Sequence, residues 1–158
     1  MPNPTSALSA FLQSPAGRRT IAQLVSFLVD LDDEVRREAV ADARLVLRRP
    51  LLGPVLDGLL RRLRHDSPAM RQRAANSLAG LGPLAAPTVV GALARGRDAL
   101  VRRRLAGVLA AMGPHLEQGD RLELTCALES VQRTARSATL ASDCADAIKA
   151  LRHTSGGG

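Results

Sequence analysis

The 158-residue chain has no tryptophan and no tyrosine, and its only phenylalanines are Phe11 and Phe27. That scarcity excludes a site built on an aromatic cage or a base-stacking platform. Lysine is almost missing too: Lys149 stands against 21 arginines. Two cysteines, Cys126 and Cys144, are too few for a disulfide framework, so a reducing, cytoplasmic setting is expected. No run of 18 apolar residues is present, so no membrane span is expected. Met1 to Ser14 lack the basic start of a secretory signal. Valine and isoleucine total 13, whereas leucine and alanine contribute 26 each. Few strand-favouring residues among many helix formers point to an all-α protein, of a length that suits one core.

Chemistry-bearing patterns are equally sparse. His65, His115 and His153 fall in turns or the tail, with no His-x-x-x-His or Cys-x-x-Cys spacing for a metal. No glycine-rich loop follows a strand to cradle a nucleotide. The expectation is therefore no catalytic residue, no metal and no cofactor. Asp30, Asp32, Asp33 and Glu34 form an acidic cluster. It is read as a helix N-terminus, where negative charge is favoured, rather than as a metal or acid-pair site. Cys126 and Cys144 lie equally far from residue 135, which would place them at similar heights on an antiparallel helix pair. A bond between them needs Cα atoms within about 7 Å, and two free thiols are expected.

What is present is a repeat. Aligned on Arg36, Arg71, Arg102 and Arg136, the chain shows offsets of 35, 31 and 34 residues. Apolar columns accompany the arginines. Leu24, Leu59, Val90 and Leu124 stand twelve before, and Leu28, Leu63, Ala94 and Leu128 eight before. Each copy reads as two helices, the first with apolar residues three and four apart, as in Leu24, Phe27, Leu28 and Leu31. Turns follow at Asp32-Asp33, Asp66-Ser67-Pro68 and Gly96-Arg97-Asp98, where Asp or Ser can cap the second helix and Pro68 suits its first turn. Second helices end at Leu81-Gly82-Pro83 and Met112-Gly113-Pro114, with glycine in a left-handed closure. The first copy ends instead at Arg49-Pro50, with Gly53-Pro54 beyond. Repeats are placed at 19–49, 53–82, 84–113 and 116–152, within a repeat domain spanning 21–152. A cap and lead-in covers 1–20, with a short helix from Ser6 to Gln13 that uses Leu8, Phe11 and Leu12. Residues 153–158 form a flexible tail.

The motif Asp-x-x-Val-Arg-x-x-Ala followed by Leu-Gly-Pro, clearest from Leu63 to Gly82, resembles the HEAT repeat in its short, lyase-associated bacterial form. The resemblance covers about Ile21 to Leu151 and concerns scaffold rather than activity. It implies a right-handed α-solenoid of about four antiparallel helix pairs, first helices convex and second helices concave, each unit stacking on its neighbours.

Net charge is +7. From Arg44 to Arg104, 13 arginines stand against Asp57, Asp66 and Asp98, a local net of 13 − 3 = +10, so the remainder nets −3. Such polarity can make a positive patch, although a GC-rich genome would also spell basic residues as arginine. The aligned arginines Arg36, Arg71, Arg102 and Arg136 are read as structural. Beside them, Arg37, Gln72, Arg73, Asn76, Arg103 and Arg104 are the candidate partner-binding residues, on what the solenoid would make its concave floor. The expected function is a non-catalytic scaffold or adaptor for a protein partner. Nucleic acid or another polyanion bound through the arginine-rich centre is the alternative. An accessory subunit of a chromophore lyase-type complex is the third reading.

Overall fold

Proline and serine begin helices in this chain, and a computed structural model describes residues 4–48 and 51–154. The helices are α1 (Pro4–Gln13), α2 (Pro15–Val29), α3 (Asp33–Val46), α4 (Leu52–Arg62), α5 (Pro68–Leu81), α6 (Ala86–Arg95), α7 (Ala99–Ala111), α8 (Gln118–Thr134) and α9 (Ala138–Thr154). Short 3₁₀ turns, Gly82–Leu84 and Gly113–His115, follow α5 and α7. No strand occurs among the described residues, so the protein is all-α.

Capping explains several of the starts. The Ser14 hydroxyl accepts from the Gly17 amide at 3.1 Å. The Asp98 carboxylate accepts from Leu100 and Val101 amides at 2.9 and 3.3 Å, and the Ser137 hydroxyl accepts from Leu140 at 3.1 Å. Each satisfies amide groups that a helix start leaves open. Pro15 and Pro68 are the first residues of their helices, where a missing amide proton costs nothing. The acidic cluster behaves differently in part. Asp32 precedes α3 without a side-chain cap, while Asp33 and Glu34 occupy its first turn.

Endings follow two routes. Gly82 has φ 56°, the left-handed closure expected after α5. Gly113 does not share it, which corrects the expectation for Met112-Gly113-Pro114. There α7 tightens into the 3₁₀ turn instead, with Met112, His115 and Leu116 amides bonding to Leu109, Met112 and Gly113 carbonyls. The small residue at 113 makes room: a Cβ would stand 2.5 Å from Thr154 Oγ1. Gly53-Pro54 is not a break either, since both lie in the first turn of α4, where proline is tolerated. Arg49-Pro50, the expected end of the first copy, and Leu8 in the cap fall outside the described residues and side chains. At the other end, α9 continues through His153 to Thr154, into the segment read as a tail.

The chain divides into two compact units between Ser77 and Leu78. In the first, α1 packs on α2, and α2 packs on both α3 and α4. Its core includes Val25, Leu28, Val29, Val55, Leu56 and Leu59. In the second, α6 packs on α7 and α8 on α9, while α6 also meets α8 and α7 meets α9. Its core includes Leu93, Leu105, Leu109, Met112, Leu128 and Leu151. Both cores are aliphatic. Phe11 is 44% exposed and Phe27 55% exposed, so neither forms the expected core contact. On α2 the buried stripe is Val25, Leu28 and Val29, with Leu24 only half-buried. Two overlapping i, i+3, i+4 stripes are present in that helix, and the one through Val25, Leu28 and Val29 is the buried one.

Candidate functional site

Three of the four aligned arginines, Arg36, Arg71 and Arg102, bond into the frame. Arg71 donates to the carbonyls of His65 at 2.7 Å and Asp66 at 3.0 Å. Arg102 donates to the carbonyls of Gly96 at 3.1 Å and Arg97 at 3.2 Å. In both cases the acceptors lie six and five residues upstream, in the turn before the arginine's own helix. The guanidinium thus satisfies carbonyls of that turn. Arg102 also donates to Thr139 Oγ1 at 3.1 Å and is only 9% exposed. Arg36, 3% exposed, has other partners. It pairs with Asp33 at 2.9 Å and reaches Ser77 Oγ in a long 3.5 Å contact. The hydroxyl of Ser77, itself fully buried, donates to the Leu28 carbonyl. Arg136 is exposed. Six and five residues before it stand Ser130 and Val131, inside α8, so no turn carbonyls occupy the matching places.

Replacing Arg102 by alanine is expected to cost about 1–3 kcal/mol, because it leaves the Gly96 and Arg97 carbonyls without their donor. Denaturant unfolding measures the cost, and an unchanged midpoint would remove the clamp role.

The six partner-binding candidates stand beside these clamps on second helices. In the first unit, Arg37, Gln72 and Asn76 are exposed and Arg73 is half-buried. The Gln72 amide donates to Asn76 Oδ1 at 2.9 Å. Arg37 and Arg73 both lie close enough to Asp33 to help depress its pKa. The hydrogen bond and charge of Arg36 do most of that work, holding the carboxyl below its ordinary range. In the second unit, α7 carries Arg103, exposed, and Arg104, half-buried, beside the exposed Gly107. The first unit thus carries these arginines on α3 and α5, and the second on α7.

Among the described residues, no group of three histidine, cysteine, aspartate or glutamate side chains is arranged to hold a metal ion. Cys126 is exposed, Cys144 buried, and both are free thiols. Burial, then the nearby Asp143 charge, pushes the Cys144 pKa up, the wrong direction for a reactive nucleophile.

The sequence reading missed the exposed apolar residues. Phe27, Leu45, Val46, Leu100 and Leu122 are each more than half exposed. Leu45 and Val46 sit together at the end of α3, beside Arg44 and Arg48. Their signal was present: Leu45, Val46 and Leu47 are three apolar residues in a row, a wider arc than one core-facing stripe, and of the three only Leu47 is buried. Comparison with protein-family models, with curated proteins and with solved structures finds no match to this chain.

Proposed function

We propose that the chain is a HEAT-like α-solenoid acting as a non-catalytic scaffold, which binds a protein partner along its second helices. One observation carries this reading: within each unit, like packs on like. α2 meets α4, and Arg36 and Ser77 bring α3 to α5. α6 meets α8 and α7 meets α9. That neighbour pattern is how stacked helix pairs bury faces that no single pair can cover, and it leaves a preformed surface with little ordering cost on binding. The adjacent residues Arg37, Gln72, Arg73 and Asn76, and separately Arg103 and Arg104, are the proposed contacts. With no tryptophan or tyrosine to act as anchors, arginine and the exposed Phe27, Leu45 and Val46 must serve, and the interface is of modest affinity or large.

Binding of nucleic acid is the second reading, favoured by the same exposed arginines. Fluorescence anisotropy with duplex DNA separates the two. The scaffold reading expects a Kd weaker than about 10⁻⁶ M at physiological salt, the tight edge of ordinary non-specific binding. It also expects a protein partner that survives nuclease and is lost from Arg73→Glu with Arg103→Glu. Tight duplex binding that persists at 150–200 mM salt, with a log–log slope near −0.9 per phosphate, overturns the scaffold in favour of nucleic acid.

A further inference from the structure

Three arginines outside the proposed contact strips line one cleft of the first unit. The cleft, about 420 Å³, runs between α2 and α4 under the end of α1. Its apolar wall is Leu12, Ile21, Val25 and Pro54, and its charged groups are Arg18, Arg61, Arg62 and Asp57. The floor is set by a close helix approach: a Cβ on Gly58 would stand 2.5 Å from Val25 Cγ2.

None of the three guanidinium groups has a carboxylate partner among the described residues. Arg61 Nε reaches only the Asp57 carbonyl of its own helix at 3.4 Å, and Arg62 only Met70 Sδ at 4.0 Å. Arg61 and Arg62 lie in the last turn of α4, where cations are favoured by the helix dipole. Arg18 lies near the start of α2, which has no acidic residue in its first turn. A cation there opposes the dipole, so local helix stability does not explain it.

The second unit carries a comparable cleft between α6 and α8, about 330 Å³, lined by Leu116, Leu124 and Val90 with Asp120 and Glu123, and by no arginine. A genome-wide preference for arginine would supply both clefts alike. The two have opposite sign, so the charge belongs to the place.

We propose that the α2–α4 cleft binds a small amphiphilic anion: one phosphate or carboxylate head held by Arg18, Arg61 and Arg62, with a short apolar body laid on Ile21, Val25 and Pro54. The volume falls in the range of small-molecule sites, an apolar pocket with a few convergent polar groups. The guanidinium fork fits either oxyanion head. This site uses residues other than the scaffold surface and stands or falls independently of it.

Octyl phosphate below its micelle concentration is the probe, titrated by calorimetry and by amide chemical shifts. Saturable binding is expected, with shifts centred on Ala22, Val25 and Gly58. It should be at least about tenfold tighter than inorganic phosphate or octyl glucoside, since both head and tail contribute. Arg18→Gln with Arg61→Gln should weaken it about tenfold, while Arg133→Gln, in the second unit, leaves it unchanged. Asp57→Asn, at an exposed position, should strengthen it by removing the one repelling carboxylate. That gain cannot be produced by misfolding. Equal affinity for inorganic phosphate, equal loss in Arg133→Gln, no gain in Asp57→Asn, or binding only to anionic phospholipid vesicles would each overturn the proposal.

Discussion

Leu59→Ala is expected to lower the unfolding free energy by about 2–5 kcal/mol, the range for removing most of a buried leucine. Leu59 is 0% exposed and lies on α4 with the fully or almost fully buried Val55 and Leu56. Its helix packs on α2, so the lost methyl groups leave a hole that neighbouring aliphatic side chains fill only in part. Against a total stability of about 5–15 kcal/mol for an ordinary domain, the loss is large enough to show as a shifted denaturant midpoint. Leu45→Ala is the internal comparison. Leu45 is 74% exposed, and its replacement should stay within about 0.5 kcal/mol of the parent. Equal midpoints for Leu59→Ala and the parent would mean that the buried face of α4 is assigned wrongly.

The two thiols should differ just as strongly in rate. Exposed Cys126 is expected to react with a small alkylating reagent at close to the speed of a free thiol. Cys144, 0% exposed, must wait for α9 to open. Every 1.4 kcal/mol or so of opening free energy slows labelling about tenfold, so a factor of about 100 or more is expected. The raised pKa of Cys144 acts in the same direction, because only the thiolate reacts. In denaturant both should label fully. Equal native rates would contradict the burial of Cys144, and protection of both thiols in denaturant would mean that they are bonded.

Much of the helix order was readable from one column of arginines. Arg36, Arg71 and Arg102 fall on α3, α5 and α7, whose bounds were readable because turn chemistry at Asp98, Pro68 and Gly82 is local and strong. Other boundaries were read less well. α2 begins at Pro15, which suits a helix start after the Ser14 cap, and α9 continues to Thr154, since no glycine or proline stands in its way. Facing was harder still. Phe27 lies on an apolar stripe by spacing, yet the buried stripe is Val25, Leu28 and Val29. Which of two stripes is covered depends on residues far away in the chain. Ser77 shows the same limit: a serine gives no local sign that it will be fully buried against a carbonyl 49 residues upstream. The α2–α4 cleft was invisible for this reason, as Arg18 and Arg61 are separated by more than one repeat.

That bond from Ser77 also sets a clock. Leu28 is among the last residues of α2, so its carbonyl has no partner within the helix, and the hydroxyl that satisfies it is made 49 residues later. At roughly 5–20 residues per second, that is about 2–10 s of synthesis. Until then α2 has left the ribosome with its final turn open, and before α4 follows, Val25, Leu28 and Val29 lack one of their covering helices. The last turn of α2 is therefore completed only after α5 has been made, on a schedule set by translation.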